Sequence, residues 1–250
     1  MKKSVNLYFN KAIDTKEKIK AIKDAGFDEF FTGIKDDTES LSVYDQCKLG
    51  FGFGLKCTMI HCLYYEPQLH CFWESGKDGD LLCDDYCAQI EKAKGLTENF
   101  VVHLNAHKDQ EQTEIGITRL KKMLKVCEKC GINLCIENLY SETEIPYIFE
   151  RIKHDKLKIC FDVGHKNFLT PNFQLMENFH KHVAVLHLHD NHGKADEHLI
   201  CGKGSIDWKK FAGQLKLVPN IVLSAEVKQK NADINYLRDV YESLSMIDSL

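Results

Sequence analysis

Hydrophobic and polar positions along this chain follow two alternating periods. Short apolar runs suited to buried strands are separated by longer stretches in which apolar residues recur every three or four positions, as on one helix face. The strand-type runs are residues 5–9 (VNLYF), 29–34 (EFFTGI), 55–62 (LKCTMIHC), 99–104 (NFVVHL), 133–139 (NLCIENL), 157–165 (LKICFDVGH), a run opening at Val183 (VAVLH), and 221–227 (IVLSAEV). The intervening stretches carry helix signals. Asp14 and Glu17 have capping-box spacing, Ile19 and Ile22 supply an inward face, and Gly26 is a stop. Further helices are expected over residues 41–49 and 80–94, through Leu120, Met123 and Cys127 to Gly131, through Ile148 and Phe149, and through Leu237, Val240 and Leu244. Thr170 and Pro171 read as an N-cap and first-turn proline. Residues 63–80 form the longest irregular stretch, with Tyr64, Tyr65, Phe72 and Trp73 as aromatics that could cover a site.

Eight strand–helix units in 250 residues predict a single (β/α)8 TIM barrel, one domain over residues 1–250. The runs are apolar on both faces, as parallel strands under helices should be. A doubly wound open sheet would normally present a glycine-rich phosphate loop after its first strand, where this chain has FNKAID.

In a barrel, chemistry gathers where strands end and βα loops begin. His61, His103, Glu137, Asp162, His187 and Glu226 stand at that point of six consecutive runs, and His165 follows Asp162 by three residues. The run from Val183 continues past His187 into His189 and Asp190, then Asp196 and His198, then glycines before an Asp207–Trp208 helix start. On an alternating strand His187 and His189 share a face. Carboxylates are seldom buried unpaired, and several of them converging with imidazoles call for a cation. This donor set suits zinc or manganese first, with magnesium and cobalt as further candidates.

Composition narrows the partners. A net charge of −4 and only three arginines (Arg119, Arg151, Arg238) give no footprint for nucleic acid, although Lys108, Lys203, Lys209 and Lys210 could cluster near the mouth. The N-terminus lacks the apolar core of a signal peptide, no run is long enough to span a bilayer, and eleven scattered cysteines suit a reducing compartment, so a cytoplasmic protein is expected. Cys127 and Cys130 form a lone C-x-x-C, better read as two helix residues than as half a zinc site.

CIENL with Glu137, CFDVGH with Asp162 and His165, HLHDN with His187, AEV with Glu226, and DEHLICGKGSIDW together make the chain resemble the xylose isomerase-like TIM barrels over nearly its full length. That group includes sugar isomerases and epimerases and endonuclease IV-type repair enzymes. The sugar-epimerase resemblance implies one divalent metal on Glu137, Asp162, His187 and Glu226, with Glu137 and Glu226 also transferring protons and His165 contacting substrate. The repair-enzyme resemblance implies a three-metal zinc site that adds His61, His103, His165, Asp196 and His198. A second carboxylate shortly after the strand-five glutamate would fall on Glu142 or Glu144, and the arginine of the epimerases after strand seven is replaced here by Asn191, His192 and Lys194. The loop KDDTES after strand two is acidic where a DNA phosphate should lie, which favours the sugar branch. The expectation is a metal-dependent isomerase or epimerase of a small sugar or polyol, acting by proton transfer beside a carbonyl. The alternatives are a zinc phosphodiesterase acting on abasic DNA and a non-catalytic metal- or sugar-binding barrel. The expected partner is a small carbohydrate rather than nucleic acid or membrane, with self-association left open.

Overall fold

The structure is a computed structural model and describes residues 1–34, 41–229 and 236–250. The KDDTES loop, residues 35–40, lies outside the described residues. Among the described residues eight parallel strands form one sheet: β1 (Lys3–Asn6), β2 (Glu29–Gly33), β3 (Lys56–His61), β4 (Asn99–Val102), β5 (Asn133–Glu137), β6 (Leu157–Asp162), β7 (Val183–His187) and β8 (Leu223–Ala225). From β1 to β7 each strand pairs with the next in sequence, and β1 pairs with β8. The ring closes just beyond β7, where Leu188 N–H donates to Ser224 O (2.8 Å) and Glu226 N–H donates to Leu188 O (3.0 Å). This is the (β/α)8 barrel that the strand–helix alternation predicts.

The helices are α1 (Thr15–Asp24), α2 (Val43–Gly52), α3 (Lys77–Lys92), α4 (Glu114–Cys130), α5 (Glu144–Arg151), α6 (Val163–Phe168), α7 (Leu175–Phe179), α8 (Trp208–Leu215) and α9 (Tyr236–Ser249). Their starts follow local chemistry: Asp14, Ser42 and Asp207 accept backbone N–H groups of the first turns of α1, α2 and α8. Gly131 ends α4 in the left-handed region (φ 76°), which a side chain would resist.

Two-sided burial gives the strands two cores. Phe31, Met59, Val101, Cys135, Cys160 and Val185 fill the barrel interior, while a larger cluster lies between strands and helices. Cys135 and Cys160 are buried free thiols, and Cys127 and Cys130 are also free. No helix among the described residues is long and apolar enough to cross a membrane.

Most element bounds shift by a few residues from the sequence expectation, and three departures have a visible physical cause. β1 ends at Asn6, because the Asn6 amide donates to Val227 O (3.0 Å) and accepts from Val227 N–H (3.1 Å), replacing ladder bonds with side-chain ones. Thr170 and Pro171 make a turn, Phe173 N–H donating to Thr170 O, and the helix starts later, at Leu175. Residues 63–80 are more ordered than their composition suggests. They contain a 3-10 helix (Glu66–Phe72) and the first turn of α3. Arg119 of α4 reaches under this segment and donates to the carbonyls of Cys71, Phe72, Glu74 and Gly76, as well as to Asp80. Trp73 is thereby sealed in the core, its indole N–H donating to Leu104 O at 2.8 Å.

Candidate metal centre

The ends of β3 to β8 meet at one mouth. His61, Glu137, Asp162 and His187 are the last residues of β3, β5, β6 and β7, while His103 and Glu226 each follow β4 and β8 by one residue. Parallel register sets Asp162 beside His187 and Glu137 beside Cys160, so neighbouring strands present their donors at one level. All ten sequence-expected residues lie in this cluster. All are buried except Asp196, and Asp162, His187 and His189 have no solvent-accessible surface.

Glu137 is the hub. Its Oε2 lies 2.9 Å from His103 Nε2 and 3.2 Å from His61 Nε2, and its Oε1 lies 3.1 Å from His187 Nδ1 and 3.2 Å from His165 Nδ1. Glu226 Oε2 stands 3.4 Å from His187 Nδ1. Asp162 Oδ1 accepts the His165 backbone N–H at 2.6 Å, and so caps α6, and lies 3.2 Å from His189 Nε2. On the far side Asp196 Oδ2 is 2.8 Å from His198 Nε2, and Asp196 Oδ1 is 3.6 Å from His189 Nε2.

The loop after β7 is shaped for this. His198 holds a left-handed backbone (φ 50°), uncommon for a side chain that gains nothing locally, and its ring stacks on His189 at 4.2 Å with Nδ1 on Glu226 O at 2.9 Å. Asp190 anchors the loop: Oδ1 accepts from Asn191 and Ile206 N–H, and Oδ2 accepts from Gly202 N–H and the Trp208 indole. Gly164 lets α6 approach His189, since a Cβ there would lie 2.0 Å from the ring.

Burial pushes the Glu137 and Glu226 carboxyls up, but the His187 imidazole, with His103 at Glu137 and His198 at Glu226, outweighs it and holds both well below the usual carboxylate range. Burial also opposes ionisation of Asp196, yet His198 brings it down to about 2. Burial pulls His165 down, and Asp162 and Glu137 raise it to about 10. Glu137, Glu226 and Asp196 are thus held anionic; of the imidazoles beside Glu137, burial pulls His103 down, while the neighbouring carboxylates raise His165 and His187.

The fit to a metal rests on donors. Oxygen and nitrogen atoms of Glu137, Asp162, His187 and Glu226 all lie within 4.8 Å of one another. Asp162 Oδ2 and both ring nitrogens of His189 are buried without a hydrogen-bond partner among the described residues. A buried carboxylate oxygen lacking a donor is costly unless a cation meets it. Mixed carboxylate and imidazole donors suit a divalent transition metal. The same proximity holds for His61, His103 and Glu137, for Asp162, His165 and His189, and for His189, Asp196 and His198.

Sequence reasoning missed several contributors. Tyr8 lies in the VNLYF run and reads as a strand aromatic, yet its hydroxyl donates to Glu226 Oε1 at 2.7 Å. Asn138 spans β5 and β6, donating to Asp162 O and accepting from Asp162 N–H. Its place directly after Glu137 was the available signal. Lys228 extends to 4.0 Å from Asp196. Of the four loop aromatics expected over the site, Tyr64 alone covers it, its ring 4.3 Å from that of His103. Phe72 and Trp73 are core residues, and Tyr65 points to solvent. Glu144 is buried and accepts the Trp73 indole N–H, away from the donors, while Glu142 is exposed.

Residues 19–250 match the sequence profile of the xylose isomerase-like TIM barrel family. The chain belongs to that family. An uncharacterized protein of Methanocaldococcus jannaschii, MJ1614, is 32% identical over 123 residues, 47% of each chain. A second, MJ1311, is 28% identical over 149 residues, 52% of this chain and 51% of that one. The matched segments thus span about half the length of these relatives. Among solved structures, D-psicose 3-epimerase from Clostridium cellulolyticum H10 superposes with a TM-score of 0.80 at 15% identity, covering 100% of this chain and 99% of that one. A D-tagatose 3-epimerase-like protein gives 0.78 at 21% (100% and 99%), and IOLI protein with a bound zinc atom gives 0.81 at 15% (100% and 98%). At these identities the likeness establishes the shared barrel.

Proposed function

We propose that this protein is a divalent-metal-dependent isomerase or epimerase of a small sugar or sugar-like polyol. The observation that carries this reading is the convergence of Glu137, Asp162, His187 and Glu226 from four successive strands, with Asp162 Oδ2 left without a donor. Those four would hold the ion. When bound, it would supply positive charge beside a substrate's carbonyl and hydroxyl oxygens, lowering the cost of removing the neighbouring proton. Glu137 and Glu226 stand three strands apart around the ring. One takes the proton from the carbon beside the carbonyl and the other delivers one to the opposite face. Tyr8 orients Glu226 through its hydroxyl, and His165, beside Glu137 and next to the mouth, contacts substrate. Tyr64 closes over His103 and limits water access. The epimerases among the structural neighbours, and the zinc bound by another neighbour, IOLI protein, support this choice. Zinc or manganese is the ion of choice.

A second reading, a metal-dependent phosphodiesterase of the DNA-repair type, draws support from the donors beyond the first four: His61 and His103 on one side, His189, Asp196 and His198 on the other. Arginine use argues against it. Arg119 is sealed under the β3–α3 segment, and Arg151 pairs with Glu114 and Glu150, so neither is free to grip phosphate.

Elemental analysis of protein purified without chelator separates the two, one ion per chain favouring the sugar reading and three the phosphodiesterase. Solvent-deuterium incorporation into a panel of ketoses should fall by at least about 100-fold in Glu137→Gln and in Glu226→Gln. Salt-sensitive incision of a duplex bearing an abasic analogue, lost in Glu226→Gln, would overturn the proposal. A retained ion with neither activity would leave a binding barrel.

A further inference from the structure

Beside the mouth lies a second chamber. The mouth cavity has a volume of about 290 Å3 and the chamber about 190 Å3, and Tyr64, His103, His165 and Asp196 line both. Together they reach the size of small-molecule sites, roughly 300–1,000 Å3. Tyr140 and Phe168 give the chamber aromatic walls, with the Tyr140 hydroxyl fixed on Glu66 at 3.0 Å. Its lining also includes Asn105, which is fully buried, with neither its amide nitrogen nor its amide oxygen hydrogen-bonded among the described residues. A neutral amide offers two donors and an acceptor, and burying it unpaired is disfavoured unless a ligand or solvent group completes it.

The surroundings hold Asn105 in place. On one side Leu104 O accepts the Trp73 indole N–H (2.8 Å). On the other, Ala106 N–H donates to the Gln110 amide (2.8 Å), which itself donates to His70 O (2.9 Å). Asn105 is therefore clamped between fixed neighbours, with its polar end committed to no protein group.

Resting on the sugar reading above, we propose that this chamber is a second subsite for a neutral, hydroxyl-bearing ring, with Asn105 reading one of its hydroxyls. The substrate class is then a glycoside of two-ring size, its reacting ring at the donor cluster and its second ring between Tyr64 and Tyr140. A hydroxyl both donates and accepts, which is the complement of an unpaired amide, and an aromatic wall suits the apolar face of a sugar ring. An anionic second group is disfavoured, because Glu66 and Asp196 border the chamber and repel it.

The test uses metal-loaded protein, titration calorimetry and saturation-transfer NMR, with glucose and fructose set against maltose, cellobiose and sucrose. At least one disaccharide should bind about tenfold tighter than its monosaccharides, and Asn105→Ala and Asn105→Leu should each erase that advantage, a loss of about tenfold. Metal content should be unchanged. Asn105→Leu should keep or raise Tm, because an unpaired buried amide is replaced by an apolar group. Equal affinity for one and two rings would remove the subsite and leave the sugar reading intact. A disaccharide preference that persists in both variants, with Tm lowered, would make Asn105 structural and overturn its assignment. Failure of every sugar to bind wild type would remove both readings.

Discussion

Asp162 and Asp190 are both aspartates with no solvent-accessible surface, at the ends of adjacent strand runs, yet their surroundings are opposite. Asp190 is saturated: four N–H donors at 2.8–3.2 Å meet its two oxygens. Asp162 has one N–H donor on Oδ1, while Oδ2 faces only imidazole nitrogens at 3.6 and 3.7 Å without hydrogen-bond geometry. A satisfied buried carboxylate organises backbone, and an unsatisfied one carries a desolvation cost that a bound cation would relieve. Glu144 represents a third solution. It is buried with a single donor, the Trp73 indole at 3.2 Å, and burial raises it to about 8, so it keeps its proton at neutral pH.

The largest expected effect is at Asp190. Asp190→Ala leaves three backbone N–H groups and an indole without an acceptor and should lower stability by about 3–5 kcal/mol, read by urea denaturation, with or without metal. A loss under 1 kcal/mol would erase the contrast. Next comes Asp162. In wild type, zinc or manganese at 100–1,000 times its Kd should add about 3–4 kcal/mol, seen as a rise in Tm, and Asp162→Ala should abolish that increment together with bound metal. The variant should also lose about 1 kcal/mol from the missing α6 cap, which Asp162→Asn would retain. Full occupancy in Asp162→Ala by elemental analysis would take this residue out of the site.

A smaller effect sharpens the first. Trp208→Phe removes one of the four donors to Asp190 and should cost about 1.5–3 kcal/mol, the range for a hydrogen bond to a charged group. The effect smallest per pH unit is a slope. In the unfolded chain Glu144 ionises near the usual 4.5, whereas in the fold it holds its proton to about 8. Between those values the folded state binds more protons, so this contribution is complete below pH 4.5 and declines as pH rises towards 8. Glu144→Gln should flatten that decline by up to about 1.4 kcal/mol per pH unit, and an unchanged pH profile of stability would show the carboxyl already ionised.

The legible part of this molecule is the part governed by period and by residue type at a boundary. The six polar strand ends stand out because an imidazole or carboxylate interrupts an apolar run where a turn residue is expected. Asp162 and Asp190 looked alike in sequence, in FDVGH and HLHDN, because the groups that satisfy Asp190 arrive from Gly202, Ile206 and Trp208, beyond local pattern. Tyr8 was hidden for a related reason: an aromatic near the first strand fits the interior as well as it fits a hydroxyl on Glu226. Arg119 was counted as a scarce cation, and its actual work, gathering carbonyls of a segment about 45 residues earlier, depends on the α3–α4 packing. The acidic loop after β2, used to favour the sugar branch, lies outside the described residues.

The closure of the ring has a kinetic consequence. Asn6 and Val227 exchange two hydrogen bonds across 221 positions, and Glu226 is carried to the mouth by the same junction. Contacts of such separation form only after the loop entropy of nearly the whole chain has been surrendered, which marks them as late events in folding. On this argument the four-donor pocket is expected to complete late in assembly, which stopped-flow refolding with added metal would check. A metal that required all four donors would select the closed barrel over partly wound precursors, and its uptake would time the arrival of the final strand.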